Sequence, residues 1–370
     1  MQFIDLKAQY QVLQSKINTR IQSVLDHGHY IMGPEVFELE TKLAEFAGVE
    51  QAVSCANGTD ALQLALMALD IGPGDAVFTT PFTFFATAEV ISLVGAHPVF
   101  VDVDERTFNI DPKQLEIEIQ RVQAEGTYQA KAVIAVDLFG LPADYPHIEP
   151  ICKRHDLRLI EDAAQGFGGE INGRRAGSFG DIATTSFFPA KPLGCYGDGG
   201  ALFTNNDELA EKLKSLRVHG KGTDKYDNVR IGMNSRLDTI QAAILLEKLA
   251  VFPDELESRQ QVADHYTEAL EGVFKTPKIP RGYRSAWAQY TLLSEQRDSL
   301  KAHLQSHQIP SMIYYPAPLH QLGAYERLGY CVGAFPVAEQ LSKQVISLPM
   351  HPYMESRSNQ LVTQELFKAL

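Results

Sequence analysis

Short apolar strand segments alternate with helical segments through the first two thirds of the chain, and this alternation constrains the fold more than any other feature. Strands separated by amphipathic helices are typical of a mostly parallel sheet with helices packed on both of its faces. The predicted strands are 51–55, 76–79, 98–101, 132–136, 157–160 and 201–204. We therefore predict an α/β fold built on a mostly parallel sheet.

The length of the chain predicts more than one domain. Its 370 residues exceed what a single hydrophobic core usually organises, so a large domain and a smaller one are expected. A long predicted helix, Thr239 to Leu249, is followed by Phe252-Pro253, which we interpret as the linker. The predicted domains are a large α/β domain at 1–250 and a small C-terminal α+β domain at 251–370.

Polar side chains cluster where three predicted strands end. These stretches are Asn57 to Asp60, Pro81 to Phe85 and Glu161 to Gln165, and ligands of open parallel sheets bind beyond the carboxyl ends of the strands. The first stretch is a glycine-containing turn between a strand and a helix, which directs backbone N–H groups at an anion. The alternative is a plain helix capped by Thr59 or Asp60.

A lysine lies in the loop stretch 184–200, TTSFFPAKPLGCYGDGG. Lys191 is flanked by the apolar residues Phe187, Phe188 and Leu193. Such neighbours desolvate an ammonium group and lower its pKa, which makes the amine nucleophilic. The alternative is an ordinary solvated loop lysine.

Charge and cysteine usage exclude several classes of protein. The formal net charge of −13 argues against a nucleic-acid surface. No apolar run approaches membrane-spanning length, and the N-terminal segment lacks a signal-peptide core. The cysteines show no CxxC spacing, so we expect neither a metal site nor a disulfide framework, and we expect a cytoplasmic location. The cysteines are Cys55, Cys152, Cys195 and Cys331.

The candidate residues together match the needs of one cofactor. Asp162 alone is an ordinary helix cap, but with Gln165, Ser186, Lys191 and the turn at 57–60 it completes a set. Pyridoxal phosphate needs donors for its phosphate, an acidic partner for its ring nitrogen and a lysine for its aldehyde. The sequence therefore predicts a pyridoxal phosphate site.

The chain resembles the DegT/DnrJ/EryC1/StrS family of pyridoxal-phosphate-dependent sugar aminotransferases over essentially its whole length. The resemblance implies the type I fold of these enzymes, which is like that of aspartate aminotransferase, with a large domain and a smaller C-terminal one. The motifs that carry it are FIDLKAQ, YIMGPEVFELE, SCANGTDAL, EDAAQGFGG, SFFPAKPLGCYGDGG, RVHG, MNSRLDTIQAAIL and YYPAPLH.

This resemblance implies roles around the cofactor ring. Lys191 would form the Schiff base with the cofactor aldehyde, Asp162 would pair with the ring nitrogen, and Gln165 would contact the ring hydroxyl. Phe84 would stack on the ring, where other members of the family have Tyr or Trp. The alternative for Phe84 is an ordinary core aromatic, because two further phenylalanines lie beside it.

The resemblance also implies a phosphate site that two subunits share. Gly58, Thr59 and Ser186 would bind the cofactor phosphate, and Asn234 would reach it from the neighbouring subunit of a homodimer.

Further residues are candidates for the sugar substrate. Arg236 suits a sugar carboxylate, because a guanidinium group donates two hydrogen bonds to a carboxylate. The alternative for Arg236 is an intersubunit salt bridge involving Asp238. Weaker candidates, each of which could instead be a packed residue with one hydrogen bond, are His27, His29, Tyr30, Tyr315 and His320.

The resemblance implies that L-glutamate donates an amino group to a nucleotide-linked keto-sugar. The form of SCANGTDAL and SFFPAKPLGCYGDGG indicates the branch that aminates UDP-2-acetamido-2-deoxy-3-keto-hexuronates, for bacterial lipopolysaccharide or other surface glycans. Three alternatives stay open: a 4-aminotransferase for UDP-4-keto-6-deoxy-hexoses, a sugar dehydratase of the family, and a non-catalytic regulator. The dehydratases lack the lysine, which argues against the second alternative.

Overall fold

The computed structural model describes residues 1–224 and 226–369. Short 3₁₀ helices lie at Leu138–Gly140, Leu319–Gln321 and Gly323–Leu328. The α-helices are α1 (Leu6–His27), α2 (Pro34–Ala47), α3 (Gly58–Ala68), α4 (Ala86–Leu93), α5 (Pro112–Glu125), α6 (Tyr145–Arg154), α7 (Asp207–Leu216), α8 (Thr239–Leu270), α9 (Arg297–Ser306), α10 (Pro336–Gln344) and α11 (Ser356–Lys368). The strands are β1 (Gln51–Cys55), β2 (Asp75–Thr79), β3 (His97–Phe100), β4 (Gln129–Val136), β5 (Arg158–Asp162), β6 (Glu170–Ile171), β7 (Arg174–Arg175), β8 (Ile182–Ser186), β9 (Gly200–Thr204), β10 (Tyr283–Arg284), β11 (Tyr290–Leu293) and β12 (Val345–Leu348).

The predicted parallel sheet is confirmed. Seven strands form the main sheet in the order β1-β9-β8-β5-β4-β2-β3. The pairs β8–β5, β5–β4, β4–β2 and β2–β3 are parallel, whereas β9 runs antiparallel to both of its neighbours. The carboxyl ends of β1, β2, β4, β5 and β8 therefore meet at one edge of the sheet.

Helices cover both faces of the sheet, which explains why its strands read as continuous apolar runs. Alternate side chains of β4 pack into different layers: Ile134 faces a core made with α3, α4 and α7. Val133 and Ala135 face a second core made with α5 and α6. A third core joins the sheet to α2 and to the first half of α8.

The helix predicted to span Thr239 to Leu249 continues as α8 through Pro253 to Leu270, so the segment that we interpreted as the linker is helical. Phe252 is buried in the core with α2, while Val262 and Tyr266 on the same helix pack in the C-terminal core. Burial on both sides of the proline offsets the hydrogen bond that its missing N–H removes. The division of the chain into two domains near residue 250 remains a prediction.

The C-terminal part has its own hydrophobic core around the antiparallel pair β11–β12. The second half of α8 packs there with α9 and α11. The C-terminal part also contacts the first part of the chain through β10, which pairs with β6 in a small three-stranded sheet. Within 1–224 and 226–369, no helix combines the length and apolar character that crossing a bilayer requires.

Candidate active site

The strand ends bring the predicted catalytic residues to one edge of the sheet. Asp162 is the last residue of β5, and it lies beside Thr184 of β8 in the parallel register. Ser186 ends β8 and is paired with Gly200 of β9. Gly200 in turn lies opposite Cys55, where β1 ends. The turn before α3, Asp162 and Ser186 are therefore neighbours although they are far apart in sequence.

Asp162 is a buried carboxylate with two hydrogen-bond donors. The hydroxyl of Thr87 donates to Oδ2 at 2.9 Å, and the N–H of Ala164 donates to Oδ1 at 3.2 Å. Burial raises the pKa of Asp162, while these hydrogen bonds and the charge of Lys191 oppose that rise. Asp162 is thus suited to face a cationic partner that would replace its lost hydration.

Lys191 lies half-buried in the loop after β8. Its backbone N–H donates to the carbonyl of Phe188 at 2.9 Å, which fixes a tight turn at this point. Burial lowers the pKa of Lys191, and only the nearby carboxylate of Asp162 opposes this shift. The environment is therefore that of a desolvated amine, not that of a solvated loop lysine.

The turn before α3 packs directly on Ser186. A Cβ at Gly58 would lie 2.6 Å from Cβ of Ser186, so only glycine allows this approach. The N-cap of α3 is Asn57, whose side chain accepts a hydrogen bond from the N–H of Asp60 at 2.8 Å. Thr59 and Asp60, the caps named in the alternative interpretation, do not have this role. First-turn N–H groups have no intrahelical acceptor, so those of Gly58 and Thr59 can bind an anion beside the hydroxyl of Ser186.

Gln165 connects the two parts of the chain at the site. Its Oε1 accepts from the N–H of Phe139 at 2.8 Å, and its Nε2 donates to the hydroxyl of Tyr315 at 3.2 Å. Burial raises the pKa of Tyr315, so its hydroxyl stays protonated and its own hydrogen remains free to donate. Tyr315, a predicted substrate residue, thus lies beside a predicted cofactor residue.

Phe84 is not a core aromatic. Its side chain is 57% exposed, whereas that of Phe82 is fully buried against Phe139 and Tyr315. Phe84 precedes α4, the helix that carries Thr87, the donor to Asp162. An exposed ring in this position is available to a planar ligand.

Four further predicted residues lie together around the start of α8. Ile31 pairs with Asp238 in an isolated bridge, and the N–H of Thr239 donates to the carbonyl of Tyr30 at 2.9 Å. The hydroxyl of Ser235 accepts from the N–H of Ala56 at 3.1 Å, which joins this segment to the turn before α3. The residues gathered here are His29, Tyr30 and Asn234, all exposed, and Arg236, which is half-buried.

His320 is placed differently from the other candidates. It is 3% exposed, its Nε2 lies 3.1 Å from Oε1 of Glu339, and its ring packs against Phe335. Burial lowers the pKa of His320. This placement favours the alternative of a packed histidine with one hydrogen bond. His27 likewise pairs with Glu35, at 3.2 Å.

A buried pair of acids behind Asp162 was not predicted from the sequence. Asp137 follows β4 and Glu161 lies in β5, and the two buried carboxyl groups influence each other's pKa. Asp137 accepts from the hydroxyl of Tyr145 at 2.8 Å, while Glu161 accepts from the N–H groups of Gly177 and Phe179. A carboxylate directly after a strand is the signal that singled out Asp162, and it could have identified Asp137.

The residues present fit pyridoxal phosphate. The missing Cβ of Gly58 leaves an anion cradle next to Ser186, and a desolvated amine and a desolvated carboxylate influence each other's pKa at the same edge. A molecule with a phosphate, an aldehyde and a basic ring nitrogen would satisfy all three groups at once.

Comparison with known proteins agrees with this geometry. A family model, the DegT/DnrJ/EryC1/StrS aminotransferase family, matches residues 11–367. The chain is 47% identical, over 99% of each chain, to a Pseudomonas aeruginosa protein named UDP-2-acetamido-2-deoxy-3-oxo-D-glucuronate aminotransferase.

Solved structures superpose closely on the chain. It is similar to a DegT DnrJ EryC1 StrS aminotransferase from Brucella abortus, with a TM-score of 0.98 and 54% identity over 100% of this chain and 99% of the other. It is also similar to NtdA from Bacillus subtilis with bound cofactor PMP, with a TM-score of 0.90 and 27% identity over 100% and 85%. The chain therefore belongs to the DegT/DnrJ/EryC1/StrS aminotransferase family and is a pyridoxal-phosphate-dependent aminotransferase of the type I fold.

Proposed function

We propose that the protein transfers the amino group of L-glutamate to a UDP-linked 3-keto-sugar, with UDP-2-acetamido-2-deoxy-3-keto-hexuronate as the favoured acceptor. The observation that carries this proposal is the desolvated amine of Lys191 near the buried carboxylate of Asp162, in a chain 47% identical to a named 3-oxo-glucuronate aminotransferase. A second relative, from Acidithiobacillus ferrooxidans and 44% identical, is named for a neutral 3-dehydro-glucosamine substrate. Both names support amination at C3, in preference to the 4-keto alternative.

Pyridoxal phosphate, when bound, supplies an aldehyde that takes up the amino group and a ring that accepts electrons from the donor's Cα–H bond. The lowered pKa of Lys191 increases the share of free amine, so this residue is suited to remove a proton from the donor carbon and return it elsewhere. Asp162 holds positive charge on the ring nitrogen. Two half-reactions on one site imply ping-pong kinetics.

The remaining residues orient the bound molecules. The first turn of α3 and the hydroxyl of Ser186 hold the phosphate, as their close packing supports. Gln165 retains one N–H of its amide after donating to Tyr315, and we assign this N–H to the ring hydroxyl. Phe84 covers one face of the ring, because its own ring is exposed beside α4.

Arg236 is our candidate for the carboxylate of a hexuronate. It is half-buried, and it forms no ion pair with the residues at 1–224 and 226–369. We expect Arg236→Lys to lower kcat/KM for the uronate by roughly ten- to hundredfold, because lysine cannot donate two parallel hydrogen bonds to a carboxylate. The neutral 2-acetamido-3-keto-hexose is the internal control and should be affected much less. Equal losses on both sugars would leave the intersubunit salt bridge as the better interpretation.

The purified holoenzyme offers a direct test of the proposed activity. Added glutamate should convert the cofactor, visible as a loss of its yellow colour, and should release 2-oxoglutarate. A panel of UDP-linked 3-keto and 4-keto sugars should then restore the colour, with the 3-keto-hexuronate the most efficient. A relative from Geobacillus stearothermophilus, 44% identical, is named a pleiotropic regulatory protein. The absence of any half-reaction with glutamate would favour such a non-catalytic role.

We further propose a homodimer with shared active sites, in the cytoplasm, that supplies precursors of surface glycans such as lipopolysaccharide. Asn234 is exposed at the start of α8, where it could reach the phosphate of a neighbouring subunit. Ile231 and Val229, close to it in sequence, are 89% and 56% exposed, which supports burial by a second copy. The dispersed cysteines support a reducing compartment.

A further inference from the structure

Two histidines and a glutamate converge in the C-terminal part of the molecule. His303 lies in the last turn of α9, His307 is the residue that caps the C-terminal end of this helix, and Glu365 lies on α11. Oε2 of Glu365 lies 3.1 Å from Nε2 of His303 and 3.4 Å from Nε2 of His307. All three ligand atoms lie within 4.8 Å of one another, and the glutamate side chain is only 5% exposed.

The hydrogen bonds of His307 show whether its Nδ1 carries a proton. Nδ1 lies 3.0 Å from the carbonyl oxygen of His303 and 3.1 Å from the hydroxyl of Ser306. That hydroxyl donates its single hydrogen to the same carbonyl at 2.7 Å, so both neighbours of Nδ1 can only accept. Nδ1 therefore carries a proton, and Nε2, the other ring nitrogen, faces the carboxylate of Glu365.

A ring nitrogen that faces a carboxylate oxygen at 3.4 Å is stabilised when either a proton or a metal ion lies between the two atoms. An Nδ1–H donated to a backbone carbonyl is also the usual arrangement behind a metal-bound histidine. Ligands that bind zinc tetrahedrally at about 2.0–2.1 Å lie about 3.3 Å from one another. The two separations from Glu365 to the histidines, 3.1 and 3.4 Å, match that edge.

We propose that His303, His307 and Glu365 bind a divalent cation of the zinc class, with water at the fourth position. Histidines four residues apart on a helix present both rings on one face, as metal ligands often do. His307 is 46% exposed, so the fourth position is open to solvent. We expected no metal site from the sequence, because that prediction used only the spacing of the cysteines.

The ammonium of Lys368 does not compete for the same oxygen. Its Nζ lies 2.7 Å from Oε1 of Glu365, whereas both histidines approach Oε2. Lys368 is 64% exposed and can turn towards solvent when a dication binds. The rival occupant is a proton on a histidine, which would make the cluster an ordinary ion-pair network.

A bound cation would link α9 to α11, the last helix of the described chain. Leu300, Leu304, Val362 and Leu366 already pack these helices into the C-terminal core. The cation would connect two helices through His303 and Glu365, which lie 62 positions apart in the sequence. A ligand that binds only the folded state stabilises that state. Its role is therefore structural and lies outside the amino-transfer site.

Cobalt(II) titration of the chelator-treated holoenzyme tests the proposal, because tetrahedral cobalt absorbs visible light strongly. We expect one Co²⁺ per chain, displaced by Zn²⁺, and an affinity at least about tenfold lower in His307→Ala and in Glu365→Gln. His147→Ala is the matched control: His147 also pairs with a carboxylate, Asp144 at 2.8 Å, but no third ligand lies beside them among residues 1–224 and 226–369.

Thermal unfolding gives a second readout on the same proteins. Zn²⁺ should raise the unfolding temperature of the wild type and of His147→Ala, and should leave that of His307→Ala unchanged. His307 is half-exposed, so its replacement by alanine should not prevent folding. Absence of stoichiometric cobalt binding, or equal binding by His307→Ala and the wild type, would overturn the proposal.

Discussion

Burial shifts the two central ionisable residues in opposite directions. It raises the pKa of Asp162 and lowers the pKa of Lys191, because in each case a low-dielectric surrounding penalises the charged form. Their mutual attraction and the hydroxyl of Thr87 partly restore the charge on Asp162. The site thus holds a reactive amine next to an anion that is kept charged by specific contacts.

The Asp162→Asn variant tests the need for that anion. Asparagine retains an oxygen for the hydroxyl of Thr87 but carries no charge to hold a protonated ring nitrogen. We expect kcat to fall by roughly 10²–10³-fold with only a modest loss of cofactor affinity, because electrostatic stabilisation is lost while the phosphate contacts stay. Steady-state kinetics and cofactor titration measure the two effects separately. Turnover at the wild-type rate would remove Asp162 from this role.

At the scale of elements, the strand–turn–helix unit β1–α3 forms the anion cradle. Asn57 caps the helix, Gly58 packs on Ser186, and the backbone of Gly200 lies against the turn. A Cβ at Gly200 would lie 2.5 Å from the carbonyl oxygen of Asn57. Close packing of three segments therefore fixes the position of the first-turn N–H groups.

The Gly58→Ala variant should weaken cofactor binding. Its Cβ would lie 2.6 Å from that of Ser186, so the turn and β8 must separate, and the phosphate loses aligned donors. We expect the cofactor Kd to rise by about tenfold or more, as a loss of one or two charge-assisted hydrogen bonds implies. The control is Gly72→Ala, where the nearest atom would be 3.7 Å away. Equal Kd values for the two variants would contradict the cradle.

The ends of β4 and β5 hold the buried carboxyl pair of Asp137 and Glu161. Burial raises the pKa of Asp137 to about 7 and the pKa of Glu161 well above its usual value. The pair therefore retains a proton at a pH where exposed carboxyl groups are ionised.

This raised pKa predicts how stability depends on pH. Between about pH 4, the ordinary pKa of aspartate, and the raised value of about 7, the folded state binds more protons than the unfolded state. Stability should therefore fall as the pH rises through this window. Asp137→Asn mimics the protonated acid, so its thermal unfolding should vary less with pH, with a gain on the order of 1 kcal/mol at pH 8. Asp70→Asn, at an 82% exposed side chain, is the control and should follow the wild type.

At the scale of the whole molecule, one surface is built from distant segments around the start of α8. The loop between α7 and α8 leads into α8, and the segment after α1 pairs with Asp238. Tyr30 in that segment is exposed, and so are Val229, Ile231 and Asn234 in the loop before α8. The apolar character of a surface next to the site supports its burial in a dimer.

We expect Ile231→Asp to weaken the dimer and to lower activity together. A charge at a position that a second copy covers leaves an unpaired buried carboxylate, which costs several kcal/mol. Sedimentation velocity over a range of concentrations measures the dimer, and the amino-transfer assay measures activity. Val332→Asp, at a valine that is 82% exposed, is the control. A dimer unaffected by Ile231→Asp would place the interface elsewhere.

Local pattern was sufficient to predict most strands of the sheet. The alternation of strands and helices follows from periodic apolar positions, and β5 and α3 place Asp162 and Gly58 where strand ends are expected. Strand β8, which ends at Ser186, was not among the predicted strands. Lys191 was predicted from its apolar neighbours, and its lowered pKa agrees with that prediction.

The sequence by itself determined these features because each depends on residues that are close together along the chain. Only the tertiary structure decided the contacts between distant residues: α8 continues through Pro253 because two cores bury it, and Gln165 meets Tyr315 across 150 positions. It also placed His320 against Glu339 and brought Glu365 to His303. Such contacts depend on how whole elements pack, and no local periodicity specifies that packing.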